Sequence, residues 1–125
     1  MNIKWFPKTS QGTVSIYETN ITLNKVASAY FKDSYKTLVG YDKGNEVLLI
    51  KALNKEEAML SKYSNNDLHD ISIKPSYGRI NGKGIVQNLA EFHPLDFSKK
   101  SLYKYKCDWE ASQKMLKVYL EREVN

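Results

Sequence analysis

The sequence predicts a mainly β domain with short helices, assembled from two similar strand–helix–hairpin units. Three observations lead there. Apolar and polar residues alternate over several short runs, separated by Gly- or Asn-containing turns. Two stretches at helical spacing interrupt those runs. The stretch around Ile21 also has an echo around Ile80.

In the first residues, Trp5 and Phe6 are expected to pin an arm to the body, with a turn through Pro7-Lys8-Thr9-Ser10-Gln11-Gly12. Residues 13–18 then alternate, with Val14 and Ile16 on one face and Thr13, Ser15 and Tyr17 on the other, as in a half-buried strand. Thr19-Asn20 turns the chain, and residues 21–23 are extended again. Asn24 suits an N-cap, because its side-chain oxygen can accept a free N–H of the next turn. Val26, Ala29 and Tyr30 fall at i, i+3, i+4 and form the expected buried face of the helix. Lys32-Asp33-Ser34 ends it.

Residues 35–41 and 46–53 flank Asp42-Lys43-Gly44-Asn45 and predict a hairpin. Asn54, followed by Glu56 and Glu57, predicts a short capped helix through residue 60 or 61. Residues 61–67 resemble a linker and divide a first unit, residues 12–62, from a second, residues 67–125. The second unit opens with a strand over 68–74, which Pro75 ends because proline has no N–H to donate. Ser76-Tyr77-Gly78 is expected to turn into Arg79-Ile80-Asn81. A helix follows over 84–91, with Ile85, Leu89 and Phe92 as its buried face. Residues 93–96 break the chain, residues 101–109 form a strand, and residues 110–113 turn. Residues 114–120 fit helix and strand alike.

Setting Ile21 against Ile80 brings Val26 onto Ile85, Ala27 onto Val86 and Tyr30 onto Leu89. Farther on, Asp42 meets Asp108, and Leu49-Ile50-Lys51 meets Met115-Leu116-Lys117, once an insertion is placed in the break between 92 and 100. That alignment favours strand for 114–120. One such unit is too small to bury its own face, so two would share one core about a pseudo-twofold axis.

The first unit, with Ile21-Thr22-Leu23-Asn24-Lys25 before a short helix and a hairpin, resembles the swapped-hairpin β-barrel of the AbrB, MazE and MraZ group. That group's signature reads roughly Ile-Thr-Leu-Pro-Lys, or Gly-Arg-Ile-x-Leu-Pro. Here Asn24 replaces the proline, and Gly78-Arg79-Ile80 matches the start of the second form, while Gly82 and Lys83 depart from its end. The resemblance covers roughly 13–53 and, more weakly, 71–120. It implies two units forming one DNA-binding barrel, across a dimer or within one duplicated chain.

The function implied is that of a small transcriptional regulator contacting double-stranded DNA through a basic barrel face. The net charge of +5, from 19 basic and 14 acidic residues, permits such contact. Arg79 is the sharpest candidate, one of two arginines, and family likeness places basic residues near its turn on DNA. A local pairing with an acidic neighbour is the alternative. Lys25 and Lys83 lie near the two helix starts, where backbone N–H groups could add to an anion site; solvated lysines are the plainer reading. Lys74 is a weaker addition. Residues 97–106 interleave aromatics with Lys and could stack bases, but read more simply as a strand with Tyr103 and Tyr105 on one face. Its Lys104 and Lys106 face could still steer DNA.

The alternative function is a protein-interaction module of the same fold, antitoxin-like or accessory to a mobile element, with exposed Tyr and Trp as anchors. A protein partner or a homodimer would fit. No cofactor, metal or catalytic residue is expected: His69-Asp70 and His93 with Asp96 are the only His–carboxylate groupings, in separate loops. Cys107 is alone and reads as a buried thiol. No apolar run reaches membrane length, and the first residues lack a signal core, so a cytoplasmic protein is expected.

Overall fold

Strand β1 (Gly12–Tyr17) buries Val14 and Ile16 completely and leaves Thr13, Ser15 and Tyr17 half-exposed. A tight turn returns the chain into β2 (Asn20–Asn24), where Ile21 and Leu23 are buried opposite Ile16 and Val14. These residues belong to a computed structural model that describes residues 1–6, 8, 10–60 and 62–124. Pro7 and Thr9 of the expected first turn, and Ser61 at the head of the expected linker, lie outside the described residues.

Asn24 does the work expected of it. Its Oδ1 accepts the Ala27 N–H at 2.9 Å, starting helix α1 (Lys25–Ala29), while its Nδ2 donates to the Gln11 carbonyl at 3.0 Å. The buried face of α1 differs from the expected one. Ala27, Ser28 and Phe31 point inward, while Ala29 and Tyr30 are exposed. A one-turn helix satisfies helical spacing on more than one side, so the choice falls to what it packs against. A Cβ on Gly78 would lie 3.0 Å from that of Ser28, and one on Gly12 3.7 Å from that of Ala27. Two strand glycines thus seat the small side of α1, and Phe31 follows Ala27 one turn later.

Strands β3 (Lys36–Asp42) and β4 (Val47–Leu53) form the expected hairpin. Asp42 ties the turn, its carboxylate accepting the Gly44 N–H and the Asn45 side-chain amide. Asn54 and Glu57 form a reciprocal capping box at α2 (Lys55–Ala58).

In the second half the strand expected over 68–74 shrinks to β5 (Ser72–Ile73) plus one bridge at His69. Beyond Ser72 the chain leaves its neighbour β6 (Tyr77–Asn81), and His69 pairs with Thr37 of β3 instead. Helix α3 (Lys83–Ala90) buries Val86 and Leu89. Phe92, expected to be buried, lies past the helix end on the surface and stacks on Tyr41 with centroids 5.2 Å apart. Strands β7 (Leu102–Glu110) and β8 (Met115–Val124) complete the chain, so residues 115–120 are strand, with Leu116, Val118 and Leu120 buried. The four-residue turns 43–46 and 111–114 correspond, which places the second hairpin two residues later than the sequence alignment did. An even shift keeps each side chain on its face.

All eight strands form one antiparallel sheet in the order β3-β4-β8-β7-β1-β2-β6-β5. Strand pairs from the two expected units alternate across it, meeting as β4 beside β8, β7 beside β1 and β2 beside β6. The sheet curls around a single apolar core until its edges meet at Thr37 and His69. Their main chains exchange two 2.9 Å hydrogen bonds, and the buried Thr37 hydroxyl adds a third to the His69 carbonyl. Trp5 and Phe6 do not pin the arm: they are 82% and 84% exposed. The core beside Gly12 is already filled by Ala27 and Cys107. Among the described residues no helix is long and apolar enough to cross a membrane.

Asn24→Ala removes both side-chain bonds and should cost about 1–2 kcal/mol in urea unfolding. Asn24→Asp keeps an acceptor for Ala27 but has no donor for Gln11, so its midpoint should fall between those of the wild type and the alanine variant.

Candidate nucleic-acid interface

Strand alternation decides which side chains leave the core. Along β1, β2 and β6 the outward positions are Thr13, Ser15 and Tyr17; Asn20, Thr22 and Asn24; and Tyr77, Arg79 and Asn81. Cross-strand pairing lines some of them up: Ser72 faces Arg79, Arg79 faces Thr22, Thr22 faces Ser15 and Ser15 faces Lys104. Neighbouring strands lie about 4.8 Å apart, so Arg79 and Lys104 stand roughly 14 Å apart with two hydroxyls between them. Lys106 extends the basic side, opposite Thr13. Strands β1, β2, β5 and β6 contain no acidic residue.

Arg79 is exposed in the middle of β6, with its guanidinium carbon 5.3 Å from the Tyr77 ring centroid. The expected Gly-flanked turn around it is replaced by strand. Gly78 is there because α1 approaches closely, and Ser28 would clash with a larger residue. Arg79 opens onto a polar recess of about 400 Å³ formed with residues 68–72 and Asn81. The carboxylate in that recess, Asp70, pairs with Lys36. Among the described residues Arg79 makes no ion pair.

The other three expected residues are exposed but do not converge. Lys25 opens α1 and Lys83 opens α3, and those helices leave opposite ends of the antiparallel β2–β6 ribbon. Four residues of strand separate the ends by about 14 Å. Lys74 lies at the Lys25 end, its N–H bonded to the Tyr77 carbonyl, and Tyr77 faces Asn24. Lys25 and Lys74 therefore share one end of the ribbon, Arg79 stands at its middle and Lys83 at the other end. The start of α1 is not an open anion site, since Asn24 already takes the Ala27 N–H.

The aromatic–lysine segment is the plain strand of the simpler reading. Tyr105 is buried and Tyr103 half-buried, while Lys104 and Lys106 face outward. With Tyr105 in the core and the Tyr103 hydroxyl bonded to the Asp96 main chain, the rings are held away from stacked bases. Three lysines elsewhere are partly neutralised. Lys100 pairs with Glu123, Lys114 with Glu57 and Lys117 with Glu110, at 2.7–2.9 Å. Glu121 lies near Glu46, whose hydrogen bond and charge push its carboxyl above the usual range. Free positive charge thus gathers on the β2–β6 side, and carboxylates on the β4–β8 side.

The remaining chemistry-bearing groups are held in the core or at its rim. The Nε2 of His93 lies 3.1 Å from the Tyr105 hydroxyl, and burial lowers the imidazole pKa while raising that of the phenol. Burial likewise lowers the pKa of His69, whose main chain closes the sheet. Among the described residues no three His, Cys, Asp or Glu side chains cluster in a way that could hold a metal ion.

No family model, curated protein or solved structure matches this chain.

Cys107 is buried, as expected, and burial pushes its thiol from 9.0 up to about 12. The folded protein therefore holds that proton to higher pH than the unfolded chain does. The stability involved is complete below pH 9.0 and is lost as pH rises toward about 12. Accordingly, a thiol reagent at mildly alkaline pH should leave native protein unmodified and label it fully in denaturant. Fast labelling of native protein would contradict the burial.

Proposed function

We propose that the chain binds double-stranded DNA through the row Ser72–Arg79–Thr22–Ser15–Lys104, as a small transcriptional regulator. The observation that carries this reading is a basic row with no ion pair among the described residues, which runs from Arg79 to Lys104 across β6, β2 and β1, three strands without a carboxylate. Arg79 and Lys104 are separated by roughly the 12 Å width of a major groove. They can each meet a phosphate, while the Thr22 and Ser15 hydroxyls between them face the groove or the sugar–phosphate edge. Lys106, Lys25 and Lys74 add charge around the row. Lys83, at the far end, contributes least.

The reading extends to the fold. We take the chain as an internally duplicated, swapped-hairpin barrel similar to the AbrB and MraZ group. Three pairings support this. Strand β1 pairs with β7 and not with β3, so each half's first hairpin sits on the other half's second one. Ile21 faces Ile80, the residues that the sequence alignment equates, and Leu49 faces Lys117, which correspond once the second hairpin is set two residues later. In an antiparallel pair related by a twofold axis, equivalent residues meet where the axis passes.

Counter-ion release makes such binding steeply salt-dependent. Four phosphate contacts imply an affinity loss of roughly 100-fold between about 50 and 200 mM salt. Fluorescence anisotropy on a mixed-sequence duplex is the test. Arg79→Ala and Lys104→Ala should each lower the log–log salt slope by about one. Lys100→Ala, whose lysine already pairs with Glu123, should leave it unchanged. A folded protein with no salt-sensitive binding at micromolar concentration would end this proposal.

A further inference from the structure

Strand β3 is a sheet edge with one side largely unpaired. Its pairing to β4 uses alternate residues, and Thr37 turns its N–H and C=O away from β4 toward His69. By the same alternation Val39 and Tyr41 direct their main-chain groups outward. Among the described residues no backbone hydrogen bond from outside the hairpin reaches either one. Beside them runs a groove of about 880 Å³ whose apolar wall includes Leu38, Leu49, Ile85, Leu89, Phe92 and Met115. Donors and acceptors repeating along an edge, next to apolar pockets, suit an extended peptide better than a compact ligand.

The same chain holds an extended segment without a place to pack. Met1, Ile3, Trp5 and Phe6 are all more than half exposed. Met1, Ile3 and Trp5 alternate with Asn2 and Lys4, the pattern of a strand with one apolar face. None of residues 1–6 lines the groove of its own chain. We infer that residues 1–6 of a second copy add to β3 as a further strand, with Ile3 and Trp5 in the groove, and that two copies exchange arms reciprocally.

The area fits a stable dimer. Aromatic side chains bury about 150–250 Å² each, so the Trp5 rings of two arms contribute roughly 300–500 Å². The groove surfaces they cover, with Ile3 and the paired backbone of each arm, bring the total to about 1,000 Å² or more, the threshold for a specific interface. The arms also cover two edges that would otherwise invite indiscriminate pairing.

Sedimentation velocity at micromolar concentration, without DNA, tests this independently of the nucleic-acid reading. The full chain should sediment as a dimer. A variant lacking residues 1–6 should sediment as a 14.4 kDa monomer less its arm, and Phe92→Lys, at the groove, should also be monomeric. Circular dichroism checks that each is folded. Should Phe92→Lys unfold, Val39→Pro serves instead, since it deletes an N–H that β4 does not use. A monomeric full chain, a dimer that survives loss of the arm, or an arm-dependent dimer indifferent to a folded groove variant would each overturn the proposal.

Discussion

Neither half of this chain can bury its apolar face alone, and the pairing of β2 with β6 follows from that constraint. Ile21 and Ile80 meet on the core side of this ribbon with no exposure at all. On either side, β1 and β5 extend the sheet, and β7 joins β1. Helices α1 and α3 leave from opposite ends of the same ribbon. The pairing therefore fixes the core and the helix positions together. It also brings Arg79 beside Thr22, although 57 residues separate them. Such non-local pairing is slow to form, because loop closure must precede the contacts that reward it.

The local parts of this arrangement were legible in the sequence. Val14 and Ile16 alternate cleanly because one side of β1 faces the core and the other faces water. Asn24 and Asn54 announce caps because the capping bond each accepts comes from only three residues along the chain. Legibility failed where distant packing decides. The rotation of α1 depends on Gly12 and Gly78, which lie on other strands. Phe92 looks like a core residue by spacing, but its helix ends before it. Residues 68–74 have strand composition, yet β6 offers β5 only a two-residue ladder.

The candidate interface divides in the same way. Arg79 stood out because arginine is scarce here, and Lys104 and Lys106 because they alternate with tyrosines. Their common row with Ser72, Thr22 and Ser15 was not visible, since it depends on four strand registers. The hydroxyls carried no signal in isolation. Outward Ser and Thr are ordinary on an exposed sheet, and only their position between two cations gives them a role. The same registers separate Lys83 from Lys25, which the sequence had made equivalent.

Charge placement then decides what the two faces can do together. Lys100, Lys114 and Lys117 are tied to carboxylates on or beside the later hairpins, whereas Arg79 and Lys104 share a row beside strands without any. A polyanion approaching the β2–β6 side meets unscreened cations, and one approaching β4–β8 meets Glu46, Glu121 and Glu123. The groove at the β3 edge and the recess beside Arg79 meet at His69, where the edges of the sheet close, while Lys104 lies on β7 at the other end of the row. An extended arm bound along Val39 and Tyr41 would leave Lys104 uncovered and would run beside the Ser72–Arg79 end of the row. Dimerisation through that edge would thus bring two basic rows into one particle, each with its Arg79 end near an arm. The added electrostatic contacts would come from a second row on the same duplex, so the affinity gain would depend on whether their spacing lets both rows reach phosphates at once.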